Sequence, residues 1–456
     1  MSVTVETSTA VRQASQRGGL AEVAILAYPV VLQTLSDTLM QVVDSAIVGH
    51  LGATELGAVG FGGIWLWTML CAFVGTATGV QTFVAQAFGA GDSRSCGRWV
   101  WQGLYALLPV VLVWFALVAI LFAPLLRLLG PSPELQRLAL EYARIRMLGM
   151  PAVVAAVVLT SFFRGLGDTR TPLAVTVVVN ILNAAATYGF VFGRFGLPAL
   201  GVAGAGVGTA LAQWTYASVL LVVFLRGRAY AAYGAAPARP DLRAMARFAR
   251  TSAPIGGQWI LDMASFAVFS TILARMGNDQ MAASQAMIQL LSLSFMQAYG
   301  ISIASGVLVG RYVGRRDLEA AERSHRSSMT LGIALAAAVA LLFLSVPVPL
   351  LRMFTDDSNV LALGRPLLAL GAIFQLVDAV GIIAGGSLRG AGDTRWPFVV
   401  QTLLAWFARL PIVYVAAIVL EGGIFGAWLG ELGYVIILGS AWLLRFRAGA
   451  WRTVRI

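Results

Sequence analysis

The stretch Phe163-Arg164-Gly165-Leu166-Gly167-Asp168-Thr169-Arg170-Thr171-Pro172 returns 225 residues later as Leu388-Arg389-Gly390-Ala391-Gly392-Asp393-Thr394-Arg395-Trp396-Pro397. At the same shift Pro29 meets Pro254, Gln33 meets Gln258 and Asp37 meets Asp262. Gly52 likewise meets Gly277, Gly89 meets Gly314, Asp92 meets Asp317 and Arg98 meets Arg323. One constant offset across half the chain predicts two copies of one bundle. Paired bundles with a cleft between them are a common construction among secondary transporters.

The composition says what kind of bundle. Of 456 residues, 59% are hydrophobic and 12% charged, more apolar than a soluble domain needs to be. Apolar runs recur, each near the roughly 20 residues a bilayer-spanning helix requires, and lipid forces backbone groups to satisfy one another within helices. The expected fold is an all-α polytopic membrane protein of twelve transmembrane helices in two pseudo-symmetric six-helix bundles. The spans are read near 22–48, 56–82, 98–123, 138–162, 172–193, 202–225, 252–274, 281–307, 328–350, 362–386, 397–419 and 424–444. This gives a cytoplasmic tail over 1–21, an N-lobe over 22–225, a cytoplasmic linker over 226–251, a C-lobe over 252–445 and a second tail over 446–456.

The net charge of +11 does not point to nucleic acid, because all 32 basic residues are Arg and they gather in alternate loops. With the N-terminus inside, 23 of them fall on inner segments and 8 on outer ones. That asymmetry places both termini in the cytoplasm of an inner-membrane protein. Cys71 and Cys96 form no framework, and no cleavable leader is read before the first span. There is no Lys for a Walker A loop, no His-Glu-x-x-His and no Gly-x-Ser-x-Gly elbow. An enzyme is therefore not expected. No cofactor is expected, nor a metal beyond Na⁺ as a coupling ion, and energy must come from an ion gradient.

Carboxylates inside lipid are costly and so mark function by default. Asp37, Asp44, Asp262, Asp378 and Glu431 all fall within spans. Asp37 and Asp44 are seven residues apart, close to two turns, so they share one helix face with Gln33 and Gln41 nearby. Gln258 lies one turn before Asp262, and Gln375 nearly one turn before Asp378. Such carboxylates bind H⁺, or Na⁺ with other oxygens, and either event changes the preferred conformation. Asn180, Asn183 and Thr187 on span five, and Gln285 and Gln289 on span eight, read equally as cavity lining or interhelical glue. Arg409 needs a carboxylate, for which Glu431 is a candidate. The repeated Arg-Gly-x-Gly-Asp-Thr-Arg segments read as structural hinges through Arg164, Asp168, Arg389 and Asp393. Their glycines permit a tight turn, Asp caps, and Pro opens the next helix.

Several of these segments together resemble the multidrug and toxic compound extrusion (MATE) transporters. They are Val43-Asp44-Ser45-Ala46-Ile47-Val48-Gly49-His50-Leu51-Gly52, the two Arg-Gly-x-Gly-Asp-Thr-Arg repeats, Asn180-Ile181-Leu182-Asn183 and Gly204-Ala205. The resemblance covers about 22–445. It implies a V-shaped pair of lobes, alternating access, and H⁺ or Na⁺ antiport against organic, usually cationic, compounds. The first-span stretch is similar to the DinF branch, which implies a proton site at Asp44 with Asn183 lining the same pocket; where that branch often has a second Asp, this chain has Thr187. Asp262 and Asp378 are similar to the cation-binding acids of the NorM branch.

The expected function is thus an inner-membrane exporter working as a monomer in the bilayer on small organic substrates. Asp44, Asn183, Asp262 and Asp378 would couple the ion. Asp37, Gln33, Gln258, Gln375, Asn180, Thr187, Gln285 and Gln289 would form a cleft or secondary polar positions. A flippase for a lipid-linked precursor is the alternative within transport, though it would want a cationic cleft. An intramembrane transferase is the alternative outside it.

Overall fold

The structure, a computed structural model, describes residues 17–130 and 132–454. Most of the expected N-terminal tail, residues 1–16, and the chain's last two residues lie outside the described residues. Among the described residues there is no strand, and twelve helices are long and apolar enough to cross a membrane. They are α1 (Leu20–Gly49), α2 (Ala53–Gly89), α3 (Ser93–Leu129), α4 (Pro133–Leu166), α5 (Arg170–Phe192) and α6 (Val202–Arg226), then α7 (Leu242–Ala274), α8 (Asp279–Gly314), α9 (Leu318–Ser345), α10 (Ser358–Ala391), α11 (Arg395–Val419) and α12 (Gly423–Arg447).

Several helices overrun the spans read from hydropathy. α7 begins at Leu242, ten residues before the expected 252, and α9 at Leu318 rather than near 328. Hydropathy marks only the part that suits lipid, whereas a helix begins where its first amides are capped. Asp241 Oδ1 accepts from the amides of Arg243 (2.9 Å) and Ala244 (3.2 Å) and starts α7 among arginines. Asp317 Oδ1 accepts from Ala320 N (3.0 Å) to start α9, and its counterpart Asp92 accepts from Ser95 N (3.2 Å) to start α3. The copies thus share their caps. α9 also stops at Ser345, before the expected 350, because Pro347 opens a separate short helix, Pro347–Arg352.

The chain divides into two compact units. One is Leu32–Gly257; the other joins the described part of residues 1–31 to Gln258–Ile456. α1 and α7 each begin in one unit and end in the other.

Small residues set the helix seams inside each unit, as in membranes generally, where close backbone approach substitutes for a hydrophobic drive. α10 is the central helix of the C-terminal unit and carries two successive glycine pairs four residues apart. A Cβ on Gly386 would stand 2.2 Å from Ser302 Oγ, and one on Gly390 only 2.1 Å from the Gly306 carbonyl oxygen, both on α8. Gly381 and Gly385 instead face α12, where Cβ atoms would meet Gly439 Cα at 3.2 Å and the Trp442 ring at 2.6 Å. Two apolar cores fill in around them. One holds Ile301, Leu308, Ile383, Leu388 and Trp442, and the other Phe269, Met287, Leu367, Val413 and Trp428. Large side chains such as Ile64, Val113, Ile120 and Phe407 are 69–77% exposed, as lipid-facing residues of a membrane protein should be.

The repeated motif is a helix stop. Gly167 (φ 88°) and Gly392 (φ 92°) adopt the left-handed conformation that favours glycine. In each copy two backbone bonds close the turn: Gly167 N to Arg164 O (2.8 Å) with Asp168 N to Phe163 O (2.9 Å), and Gly392 N to Arg389 O with Asp393 N to Leu388 O (both 3.0 Å). This is a Schellman closure. The first glycine of each motif serves packing instead, Gly165 against Val84 and Gly390 against Gly306.

Candidate functional site

In the unit Leu32–Gly257, the later part of α1 lies along α5. Asn180, Asn183 and Thr187 recur at helical spacing on one face of α5 and meet the face of α1 that carries both acids. Asn180 Nδ2 donates to Ser36 Oγ (3.0 Å) and to Asp37 Oδ1 (3.4 Å). Asn183 Nδ2 donates to Asp44 Oδ2 (3.2 Å), and Thr187 Oγ1 donates to Asn183 Oδ1 (3.3 Å). Asp37 is exposed and Asp44 half-buried, while Asn183 and Thr187 are buried. Thr187 therefore orients the amide that addresses Asp44. Arg146 on α4, which the sequence groups with the outer border, lies within electrostatic reach of Asp44.

Gln33 is committed to structure. Its Nε2 donates to Thr176 Oγ1 and Tyr216 OH (3.0 Å each), and its Oε1 accepts from Arg164 Nη2 (2.8 Å). Tyr216 OH continues the chain to Thr160 Oγ1 at 3.2 Å. Buried amides hold helices in register when every polar atom is used.

In the other unit a cavity of about 320 Å³ is lined by Asp262, Asp378 and Glu431. Its walls are greasy, with Met263, Phe266, Phe295, Phe374 and Trp428 prominent. Arg409 stands at its acidic side. Arg409 Nε donates to Glu431 Oε2 at 2.7 Å, Nη1 donates to Ser265 Oγ at 3.3 Å, and Nη1 lies 3.9 Å from Asp262 Oδ1. Ring faces of Phe266, Phe269 and Tyr434 lie 5.2–5.8 Å from the guanidinium carbon, within cation–π range. Arg409 and Glu431 are both buried; Asp262 and Asp378 are half-buried. Arg409 ends a π-helical turn, Ala405–Arg409, and a second, Val415–Val419, follows Pro411. Widened turns of this kind recur at functional positions.

Asp378 enters no hydrogen bond or ion pair among the described residues. Gln375 Oε1 accepts from Ser294 Oγ, and its Nε2 donates to the Ala336 carbonyl at 2.5 Å. Gln258 Nε2 donates to Gln401 Oε1. Gln285 and Gln289 are exposed and do not line this cavity. The structure thus brings Asp262 and Asp378 to one chamber and Asp44 and Asn183 to one contact. The sequence alone does not reveal Ser36, Ser294, Tyr216 or the aromatic wall, since a Ser or Phe in an apolar run carries no signal of which way it faces.

The hinge residues diverge between copies. Asp168 Oδ1 accepts from the amides of Arg170 (3.2 Å) and Thr171 (3.0 Å), and Asp168 Oδ2 accepts from Tyr230 OH. Asp393 is 6% exposed and instead pairs with Arg445 Nε at 2.9 Å. Arg389 Nη2 donates to Ser302 Oγ at 3.4 Å.

A family model described as MatE matches residues 29–189 and 254–415, two windows that open on Pro29 and Pro254. A Thermotoga maritima protein named "Probable multidrug resistance protein NorM" is 28% identical over 431 residues, covering 94% of this chain and 92% of that one. A Rhizobium meliloti protein of the same name is 31% identical over 448 residues, with the same coverage of both chains. Among solved structures, a MATE in the bent conformation has a TM-score of 0.86 at 18% identity and covers 95% of this chain and 96% of that one. An outward-facing MATE family transporter of the MOP superfamily has a TM-score of 0.84 at 18% identity, covering 95% and 97%. The likeness to these structures is one of fold.

Proposed function

The chain belongs to the MatE family of multi-pass membrane transporters, which are not enzymes, and from that premise we propose that it exports small organic cations in exchange for H⁺ or Na⁺ by alternating access. The observation that carries this reading is the chamber holding Asp262, Asp378 and Glu431 against a single guanidinium, within aromatic and thioether walls. Excess negative charge in an apolar setting attracts a flat organic cation, and the rings offer faces to stack on. In the same reading Asp44 with Asn183 and Thr187 forms an ion site in the other unit, with Asp37 and Asn180 beside it. Binding an ion at either acid removes one negative charge and so shifts the balance between conformations.

The names of the relatives support multidrug efflux, and the skew of Arg toward alternate loops supports an inner-membrane location with both termini cytoplasmic. We read the working form as a monomer in the bilayer, with no cofactor beyond the coupling ion. The test is ethidium efflux from cells that express the chain. Asp44→Asn and Asp378→Asn are each expected to abolish efflux at unchanged membrane expression. Wild-type efflux by the Asp44→Asn, Asp378→Asn double variant would overturn the proposed ion sites, and no efflux by the wild-type chain would overturn the exporter reading.

A further inference from the structure

We propose that Arg409 is a tethered counter-cation that keeps Na⁺ off the acids of the C-terminal unit, leaving Asp378 to exchange a proton. This rests on the exporter reading and goes on to name the coupling ion at this unit.

The argument is one of occupancy. A hard cation such as Na⁺ needs several oxygens converging on one point. Three carboxylates line the chamber, yet the guanidinium already engages Glu431 at 2.7 Å and stands 3.9 Å from Asp262. Glu431 and Asp262 therefore face a positive charge that cannot leave, because it is bonded to the chain. A small hard cation drawn to these oxygens would have to share them with the guanidinium and find too few left to complete its coordination, whereas an organic cation stacked on the rings needs no such shell.

Asp378 is placed differently. It lines the same chamber and has no hydrogen-bond or ion-pair partner among the described residues. The ionisable groups around it are Asp262 on α7, Arg409 on α11, and Glu431 and Tyr434 on α12. A proton needs one carboxylate oxygen and no further ligands, so Asp378 alone suffices for it. Arg is suited to the guarding role because it stays charged and its planar fork reaches two carboxylates at once. Its three aromatic neighbours and Ser265 fix it in place.

The test uses the full chain, purified, with Na⁺ binding followed by ²³Na NMR and transport followed in liposomes loaded with ethidium. An Asp44→Asn variant, which leaves only the acids of the C-terminal unit, is expected to bind no Na⁺ competitively with organic cation, and the wild-type protein is expected to move ethidium under a pH gradient. Arg409→Gln is expected to tighten Na⁺ binding about tenfold or more, and Asp378→Asn in that background to remove the gain. If Arg409→Gln fails to fold, the Arg409→Met, Glu431→Met double variant removes the pair without stranding a charge and still leaves Asp262 and Asp378 for Na⁺. Na⁺ binding by an Asp44→Asn variant that is lost when Asp378 is also replaced by Asn overturns the proposal, as does a folded Arg409 variant that gains no Na⁺ binding. Absence of ethidium transport under either a pH or a Na⁺ gradient overturns the exporter reading alone, since the Na⁺ binding measurement does not depend on transport.

Discussion

Replacing Gly390 with Ala should loosen the contact between α8 and α10 more than any other single methyl group added to that seam's neighbour. The new Cβ would stand 2.1 Å from the Gly306 carbonyl oxygen and 2.7 Å from its Cα. These are backbone atoms of a helix and cannot rotate away, so α8 must withdraw by about 1 Å to reach ordinary contact. Overpacking of this kind costs up to about 3 kcal/mol. Alanine returns about 1 kcal/mol through its higher helix propensity, which leaves a net loss near 2 kcal/mol. Gly381→Ala is the control on the same helix. Its Cβ would meet Gly439 Cα at 3.2 Å, a small shift that the gain in propensity roughly offsets. The assay is unfolding of the detergent-purified protein, by denaturant titration and by the thermal midpoint of the gel-filtration peak. Gly390→Ala matching the wild type, or Gly381→Ala costing more than Gly390→Ala, would refute the assignment of Gly386 and Gly390 to the tight seam.

Two further outcomes follow from the diverged hinges. Arg445→Ala strands the buried Asp393 carboxylate and is expected to cost about 3 kcal/mol, whereas Asp168→Ala removes a cap and costs about 1 kcal/mol, both read by the same unfolding titration. The Tyr230 hydroxyl, in the linker, is pushed up to about 12 by burial and by its bond to Asp168. Its stabilising share is present below the ordinary phenol value of 10.0 and is lost as pH rises through about 12, because the folded state holds that proton more tightly. Tyr230→Phe should therefore flatten the alkaline limb of the stability–pH curve, and an unchanged limb would count against the Asp168–Tyr230 contact.

The fold was legible because it rests on patterns that survive in one dimension: apolar runs, a constant shift of 225 residues, and turn chemistry at Gly167 and Gly392. The contact of α1 with α5 was half legible. Asp37 and Asp44 announce a polar face by spacing, and Asn180 and Asn183 announce another, but nothing in the sequence says that the two meet. The fate of Asp393 was not legible. It matches Asp168 in the motif, yet its partner Arg445 lies 52 residues away on another helix. Arg409 was visible as an anomaly, and Glu431 as its candidate partner. That the guanidinium also reaches Asp262 depends on how α7, α11 and α12 are rotated, which hydropathy does not encode. Helix starts at Leu242 and Leu318 were missed because charged first turns look like loops to a hydropathy reading, while Asp241 and Asp317 cap them all the same.

α5 and α11 occupy matching places in the two copies, but α5 runs 23 residues as plain helix and α11 runs 25 with two widened turns. A π turn accommodates one more residue than an α turn of the same height. The two surplus residues are thus absorbed locally, and both ends of α11 keep the reach of α5. Because the widened turn takes up the extra residue, the turns beyond it keep their orientation, and only the side chains within it are re-aimed. A widened turn thus re-aims the few side chains it carries, Arg409 among them, without disturbing the helix on either side. Where α5 sets neutral amides beside the acids of α1, α11 sets on its widened turn a permanent positive charge beside those of α7 and α12.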